Sequence, residues 1–150
     1  MSDAQSRFVY VTYIRTTPEK LWAALTQPEF TKQYWFGVEA ISAWTNGADW
    51  KLQLGDGRIA DTGSIIESDP PRRLVINWLC HMRADFTAEG YSRCTMELEQ
   101  SDDAVRLTIT HEMDRPNSLL INEGVSGGWP KILSSLKSLL ETGEPMTISQ

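Results

Sequence analysis

Trp129-Pro-Lys-Ile-Leu-Ser-Ser-Leu-Lys-Ser-Leu-Leu140 is the stretch that decides the fold. Its apolar residues Trp129, Ile132, Leu133, Leu136, Leu139 and Leu140 recur at spacings of three and four, laying a wide apolar stripe along one helix face. Gly143 and Pro145 supply the stop. The start has two readings, because Gly127-Gly128 and Pro130 fall there. Either the helix begins at that point, or a preceding turn from Ser118 is kinked, since proline removes an amide hydrogen bond and crowds the turn before it.

A stripe of that width needs a large apolar partner, and the preceding residues provide strands. Val105, Leu107, Ile109, His111 and Met113 share one phase, with Arg106, Thr108, Thr110 and Glu112 in the other. Upstream, Cys94, Met96 and Leu98 mark another strand, as do Leu74, Ile76, Trp78, Cys80 and Met82. Ala84 to Tyr91 reads as a polar loop between those two. Arg58 to Ser68 reads as a strand with Gly63 a bulge or a point of close approach. Trp50, Leu52 and Leu54 alternate with polar residues ahead of the hairpin turn Gly55-Asp56-Gly57. Phe8 to Ile14, rich in aromatic and β-branched residues, is the first strand. Thr16-Thr17-Pro18-Glu19 then opens a short helix carrying Leu21, Trp22 and Leu25 on one face. Pro28 ends it, and Glu29 begins a second short turn with Phe30, Tyr34, Trp35 and Phe36.

These elements predict an α+β fold: a curved antiparallel six-stranded sheet wrapped around the long C-terminal helix, with two short helices between strands 1 and 2. Curvature keeps the space between sheet and helix from filling completely. The 150 residues suit a single domain, 1–150, with its core over about 8–142.

Composition narrows the function classes. A net charge of -6 and no dense Lys/Arg cluster beyond Arg72-Arg73 make nucleic acid and anionic membrane poor partners. No stretch approaches the ~18–20 apolar residues of a membrane span. The opening Met1–Arg7 has neither an apolar run nor a cleavage pattern, so no signal peptide is expected. Cys80 and Cys94 are too few for a disulfide scaffold and lack zinc-ligand spacing, which fits a reducing cytoplasm. Six tryptophans suit either a core or the wall of a ligand cavity.

Several segments carry a resemblance. Ile14-Arg-Thr-Thr-Pro-Glu-Lys-Leu-Trp22, Ala24-Leu-Thr-Gln-Pro-Glu29 and Tyr34-Trp35 resemble the opening of the START-related, Bet v 1-like (SRPBCC) superfamily. More narrowly, they are similar to the branch named after activators of the heat-shock-protein-90 ATPase. Gly47-Ala-Asp-Trp50, Gly63-Ser-Ile-Ile-Glu67, Pro70–Trp78 and Gly128-Trp129 leading into Leu133, Leu136 and Leu140 agree with that branch, in order, over roughly residues 8–142. The resemblance implies a helix-grip domain with an internal cavity. Members bind lipids, hormones or polyketides, in some branches cyclise them, and as cochaperones contact a chaperone. The eukaryotic cochaperones carry an additional N-terminal domain with no counterpart here, which weighs against chaperone activation.

The candidate ligand-binding set is Tyr34, Trp35, Phe36, Trp78, Cys80, Met82, Met96, His111 and Trp129, as aromatic and sulfur-rich walls around a flat or greasy molecule. Each also has a plain reading as core packing. With the hairpin centred near Thr87, Cys80 and Cys94 would lie opposite each other as two small core residues, with no basic neighbour to lower a thiol pKa. His111 reads as a core or cavity-wall histidine or a polar anchor, and His81 as surface. Asp61, in phase with Ile59 and Ile65, could form an acid–base dyad with His111. His111-Glu112 superficially opens a zinc-protease motif, but no second histidine follows at the required spacing. No catalytic set, metal or cofactor is expected. The partner expected is a small apolar molecule, with a chaperone or a cavity enzyme of the cyclase or hydrolase kind as alternatives.

Overall fold

The computed structural model describes residues 5–147; most of the opening segment on which the signal-peptide reading rests lies outside the described residues. The chain order is β1 (Ser6–Ile14), α1 (Pro18–Thr26), α2 (Pro28–Tyr34), β2 (Glu39–Ser42), β3 (Asp49–Gln53), β4 (Ile59–Asp69), β5 (Arg73–Cys80), α3 (Ala84–Glu89), β6 (Ser92–Ser101), β7 (Ala104–Met113) and α4 (Ser126–Thr142). The sheet is antiparallel with seven strands in the order β1-β7-β6-β5-β4-β3-β2. Six strands are legible in the sequence. The seventh, β2, is only four residues long and pairs along β3 from Glu39↔Gln53 to Ser42↔Trp50.

Local chemistry sets the boundaries. Thr17 Oγ1 accepts from the Lys20 amide at 3.2 Å and Pro18 takes the first helical position, so α1 starts where the cap and proline dictate. Gly143 ends α4 with φ 88, a left-handed conformation that suits glycine. One face of the sheet packs on α4, with Leu133 and Leu136 of the helix and Val105, Leu107 and Ile109 of β7 fully buried.

The helix does not begin at the glycines. A π-helical turn, Leu120–Val125, runs directly into α4, and Pro130 lies inside the helix. A wider turn before a proline relieves the crowding that its ring and missing N–H would otherwise produce. The amides at the start are satisfied from outside. Glu89, at the end of α3, accepts from the Leu119 amide (2.8 Å), the Leu120 amide (3.2 Å) and the Ser118 hydroxyl (2.6 Å).

Residues 84–89, read from sequence as loop, are helical, and they change the pairing expected around Thr87. β5 ends at Cys80, Trp78 pairs with Ser92, and Cys94 pairs with Ile76, so Cys80 and Cys94 are not opposite one another. Cys80 instead lies beside Asp61. Met82 lies beyond the strand and is half-exposed, outside the phase of Leu74, Ile76, Trp78 and Cys80.

β4 is irregular in two places, neither at Gly63. Leu52 pairs with Asp61 but Gln53 with Ile59, leaving Ala60 as an extra residue, and a second shift falls between Ile65 and Glu67. Bulges of this kind bend a strand and increase its twist. The first one parts Asp61 from the phase of Ile59: Ile59 is exposed while Asp61 and Ile65 are buried.

Candidate functional site

The site grows from one row across the sheet. Trp50, Gly63 and Trp78 are direct partners on β3, β4 and β5. A Cβ on Gly63 would lie 1.7 Å from the Asn77 carbonyl oxygen, so only glycine fits. Over it the Trp50 and Trp78 rings approach to 4.5 Å between centroids. After α2 the backbone turns through left-handed conformations at Phe36 (φ 53) and Gly37 (φ 89), next to Trp35. Trp35 meets Trp129 of α4 at 5.4 Å and Trp78 at 6.3 Å, and Trp78 meets Trp129 edge-on at 5.9 Å. Three indoles, from the C-terminal end of α2, the sheet and α4, therefore converge.

His111 sits at their foot with both ring nitrogens engaged. Trp129 Nε1–H donates to Nδ1 at 3.1 Å. An indole can only donate, so Nδ1 carries no proton and the neutral ring holds it on Nε2. Nε2–H then donates to Ser92 Oγ at 2.8 Å, and the Ser92 hydroxyl donates to the Trp78 carbonyl at 3.3 Å. Burial lowers the His111 pKa to about 3, so the ring is neutral at physiological pH.

Asp61 is buried across from it. Trp78 Nε1–H donates to Asp61 Oδ2 at 2.6 Å, and the Cys80 thiol is its other side-chain hydrogen-bond partner. Burial raises the Asp61 pKa, against the opposing pull of those hydrogen bonds and of the nearby His81. The candidate Asp61–His111 dyad is not formed, since Asp61 bonds Trp78 and the two His111 nitrogens face Trp129 and Ser92. His81 is exposed and shares a hydrogen bond with Thr62 Oγ1 at 2.7 Å.

Around these residues lies a cavity with two adjoining lobes of about 300 and 380 Å³. Trp35, Trp78, Cys80, Met82, His111 and Trp129 line the first lobe together with Asp61, and Phe36 lines the second. Gly124, Gly128 and Ile132 close the helix side. Tyr34 and Met96 belong to the packed core rather than to these walls. Tyr34 is 1% exposed and its hydroxyl donates to the Ala24 carbonyl at 3.0 Å, and burial pushes its phenol pKa well up. Met96 is buried between Leu74 and Ile109 on the neighbouring strands.

Sequence reasoning missed Ser92 and Phe86. Nothing in the composition around Ser92 announces a partner for His111. Phe86 lies on α3, whose polar sequence conceals a helix. Its ring fits against Gly124, where a Cβ would lie 3.0 Å from Cε2, and the Arg83 guanidinium covers it at 4.1 Å.

Both thiols are poor nucleophiles. Burial pushes Cys80 up to about 11 and Cys94, fully enclosed, higher still. Among the described residues no group of three or more His, Cys, Asp or Glu could hold a metal ion, and no helix is long and apolar enough to cross a membrane.

Comparison with known proteins speaks to the family and the fold. Residues 15–141 match the family model described as Activator of Hsp90 ATPase homolog 1-like protein. No curated protein matches the sequence. Protein MLL2253 from Mesorhizobium loti is similar at a TM-score of 0.76 and 24% identity, over 91% of this chain and 97% of that one. PFC0360w, an HSP90 activator from Plasmodium falciparum, is similar at 0.72 and 22%, over 89% and 95%. CalU16 from Micromonospora echinospora is similar at 0.72 and 20%, over 91% and 77%. Identities this low speak to the shared helix-grip fold and leave activity to be argued from the site.

Proposed function

Because the chain belongs to the Activator of Hsp90 ATPase homolog 1-like family, we propose that it uses the helix-grip cavity to bind a small apolar, aromatic molecule without transforming it. The observation that carries this reading is the convergence of Trp35, Trp78 and Trp129 on one cavity whose histidine already has both nitrogens bonded. Apolar walls with a few fixed polar groups suit recognition. General acid–base chemistry through His111 would need a ring nitrogen free to reach the substrate. A ligand burying ~200 Å² of apolar surface gains about 5 kcal/mol before its losses of motional freedom, which calls for a method that reads weak binding.

The test is a titration of the six tryptophan indole NMR signals with neutral, basic and acidic aromatic compounds, sterols and fatty acids. Saturable shifts clustered at Trp35, Trp78 and Trp129, with the compound recovered unchanged, are expected. Turnover of a compound would replace binding by catalysis.

A second reading, a surface that engages a chaperone, is favoured by the family description and by the HSP90 activator among the structural relatives. Val9, Val11 and Tyr13 give the outer face of the edge strand β1 a half-exposed apolar row that such a contact could cover. Silence across the compound panel, joined to stimulation of a heat-shock-protein-90 ATPase by this chain, would put that reading first.

A further inference from the structure

We infer that the cavity selects aromatic ligands carrying a protonated amine, with Asp61 as their counter-ion; the inference rests on the cavity-binding reading above. Among the described residues, Asp61 is the only formally charged side chain lining either lobe. It is 7% exposed, and among the described residues it forms no ion pair. His81, the one side chain whose charge bears on Asp61, lies outside both lobes and shares a hydrogen bond with Thr62. A buried carboxyl without a cation is unfavourable, and the two donors it has do not require its charge. An amide oxygen would also accept the Trp78 indole proton. What a carboxylate adds over an amide is a negative charge at the cavity wall.

The remaining walls favour the same ligand. The faces of Trp35, Trp78 and Trp129 carry negative quadrupolar potential, which attracts ammonium groups, most strongly where water is excluded. His111 is neutral, so it supplies no positive charge to an acidic ligand, and Cys80 stays an uncharged thiol. An anion entering the cavity would meet Asp61 with no cationic side chain among the described lining residues to offset it. The ligand chemistry this pattern fits is a flat apolar body with one basic nitrogen near its end.

Three compounds of one shape separate the possibilities: 2-naphthylmethylamine, 2-naphthylmethanol and 2-naphthoic acid, titrated by NMR at pH 7.5. The amine is expected to bind about tenfold or more tighter than the alcohol, as for a hydrogen bond to a charged partner in a desolvated site. The acid is expected to bind weakest. In Asp61→Asn, which keeps an acceptor for Trp78, the amine should lose its advantage over the alcohol. Should Asp61→Asn fail to fold, the wild-type ratio of amine to alcohol, repeated with the N-acetylated amine, decides alone. Equal binding of amine and alcohol to the wild type overturns the counter-ion and leaves the cavity reading standing. No saturable binding of any of the three overturns both.

Discussion

His111 shows how a single side chain can be legible in position and hidden in purpose. The alternation of Val105, Leu107, Ile109, His111 and Met113 places it inward from sequence alone, because a strand has period two. Its partners come from β6 and α4, at 19 and 18 positions' separation, which periodicity does not report. Its pKa, lowered to about 3 by burial, makes a stability prediction with a definite sign. The unfolded ring titrates near ~6.5, so the native state binds fewer protons below that value. The stability it contributes is complete above ~6.5 and declines as pH falls toward 3. Between pH 7.5 and 5 the chain should lose about 2 kcal/mol on this account, and His111→Gln should flatten that slope in denaturant titrations. Nitrogen-15 shifts of His111 should report a neutral ring, protonated on Nε2, at pH 5. A ring already cationic there would refute the burial argument. Gly63 is the complementary case. Its presence mid-strand signals close approach, but only the fold reveals that the approaching atom is the Asn77 carbonyl and that two indoles meet over it.

At the scale of elements, Glu89 joins two helices that the sequence leaves unrelated. Burial acts to raise its pKa, but the hydrogen bonds from Ser118, Leu119 and Leu120 and the Arg115 charge outweigh that and hold the carboxyl below its usual range. A carboxylate at a helix N-terminus also meets the positive end of the backbone dipole. Glu89→Gln should cost about 1–2 kcal/mol at pH 7, measured by chemical denaturation. A carboxyl with a lowered native pKa stabilises above its unfolded value near ~4.3, and the effect fades as pH falls through the native value. The variant and the parent should therefore converge in acid; a gap that persists would assign the loss to packing instead. Most elements were legible for physical reasons. The stripe of α4, the alternation of β5, β6 and β7, and the Thr17-Pro18 start of α1 each carry a period or a cap. The elements that escaped lack both. β2 is too short to show alternation, α3 is largely polar and held by its surroundings, and the π-helical turn has no residue signature beyond a crowded proline downstream. The bulge at Ala60 escapes for the opposite reason: Ile59, Asp61 and Ile65 keep an unbroken alternation in the sequence that hides it.

On the scale of the whole molecule, the cavity is a consequence of curvature and small residues together. Bulges bend β4, and α4 presents Gly128 where a larger side chain would project into the space. A Cβ on Gly128 would meet no atom within 4 Å, so Gly128→Ala is sterically free. It should raise stability by roughly 0.5–1 kcal/mol through helix propensity while narrowing both lobes. Higher thermal stability with weaker binding of the aromatic probes is the expected pair of outcomes, and unchanged affinity would show that ligands do not reach that wall. The hydrogen bonds from Trp129 through His111 and Ser92 to the Trp78 carbonyl have a further consequence. A proton relay must be able to run either way, each member alternately giving and taking. This one has an indole at its head, which can only give, and a backbone carbonyl at its tail, which can only take. It is a one-way street with both ends fixed, stitching α4 to three adjacent strands. A mutation that introduced chemistry into this cavity would have to break the stitch first, loosening the helix from the sheet to free the histidine.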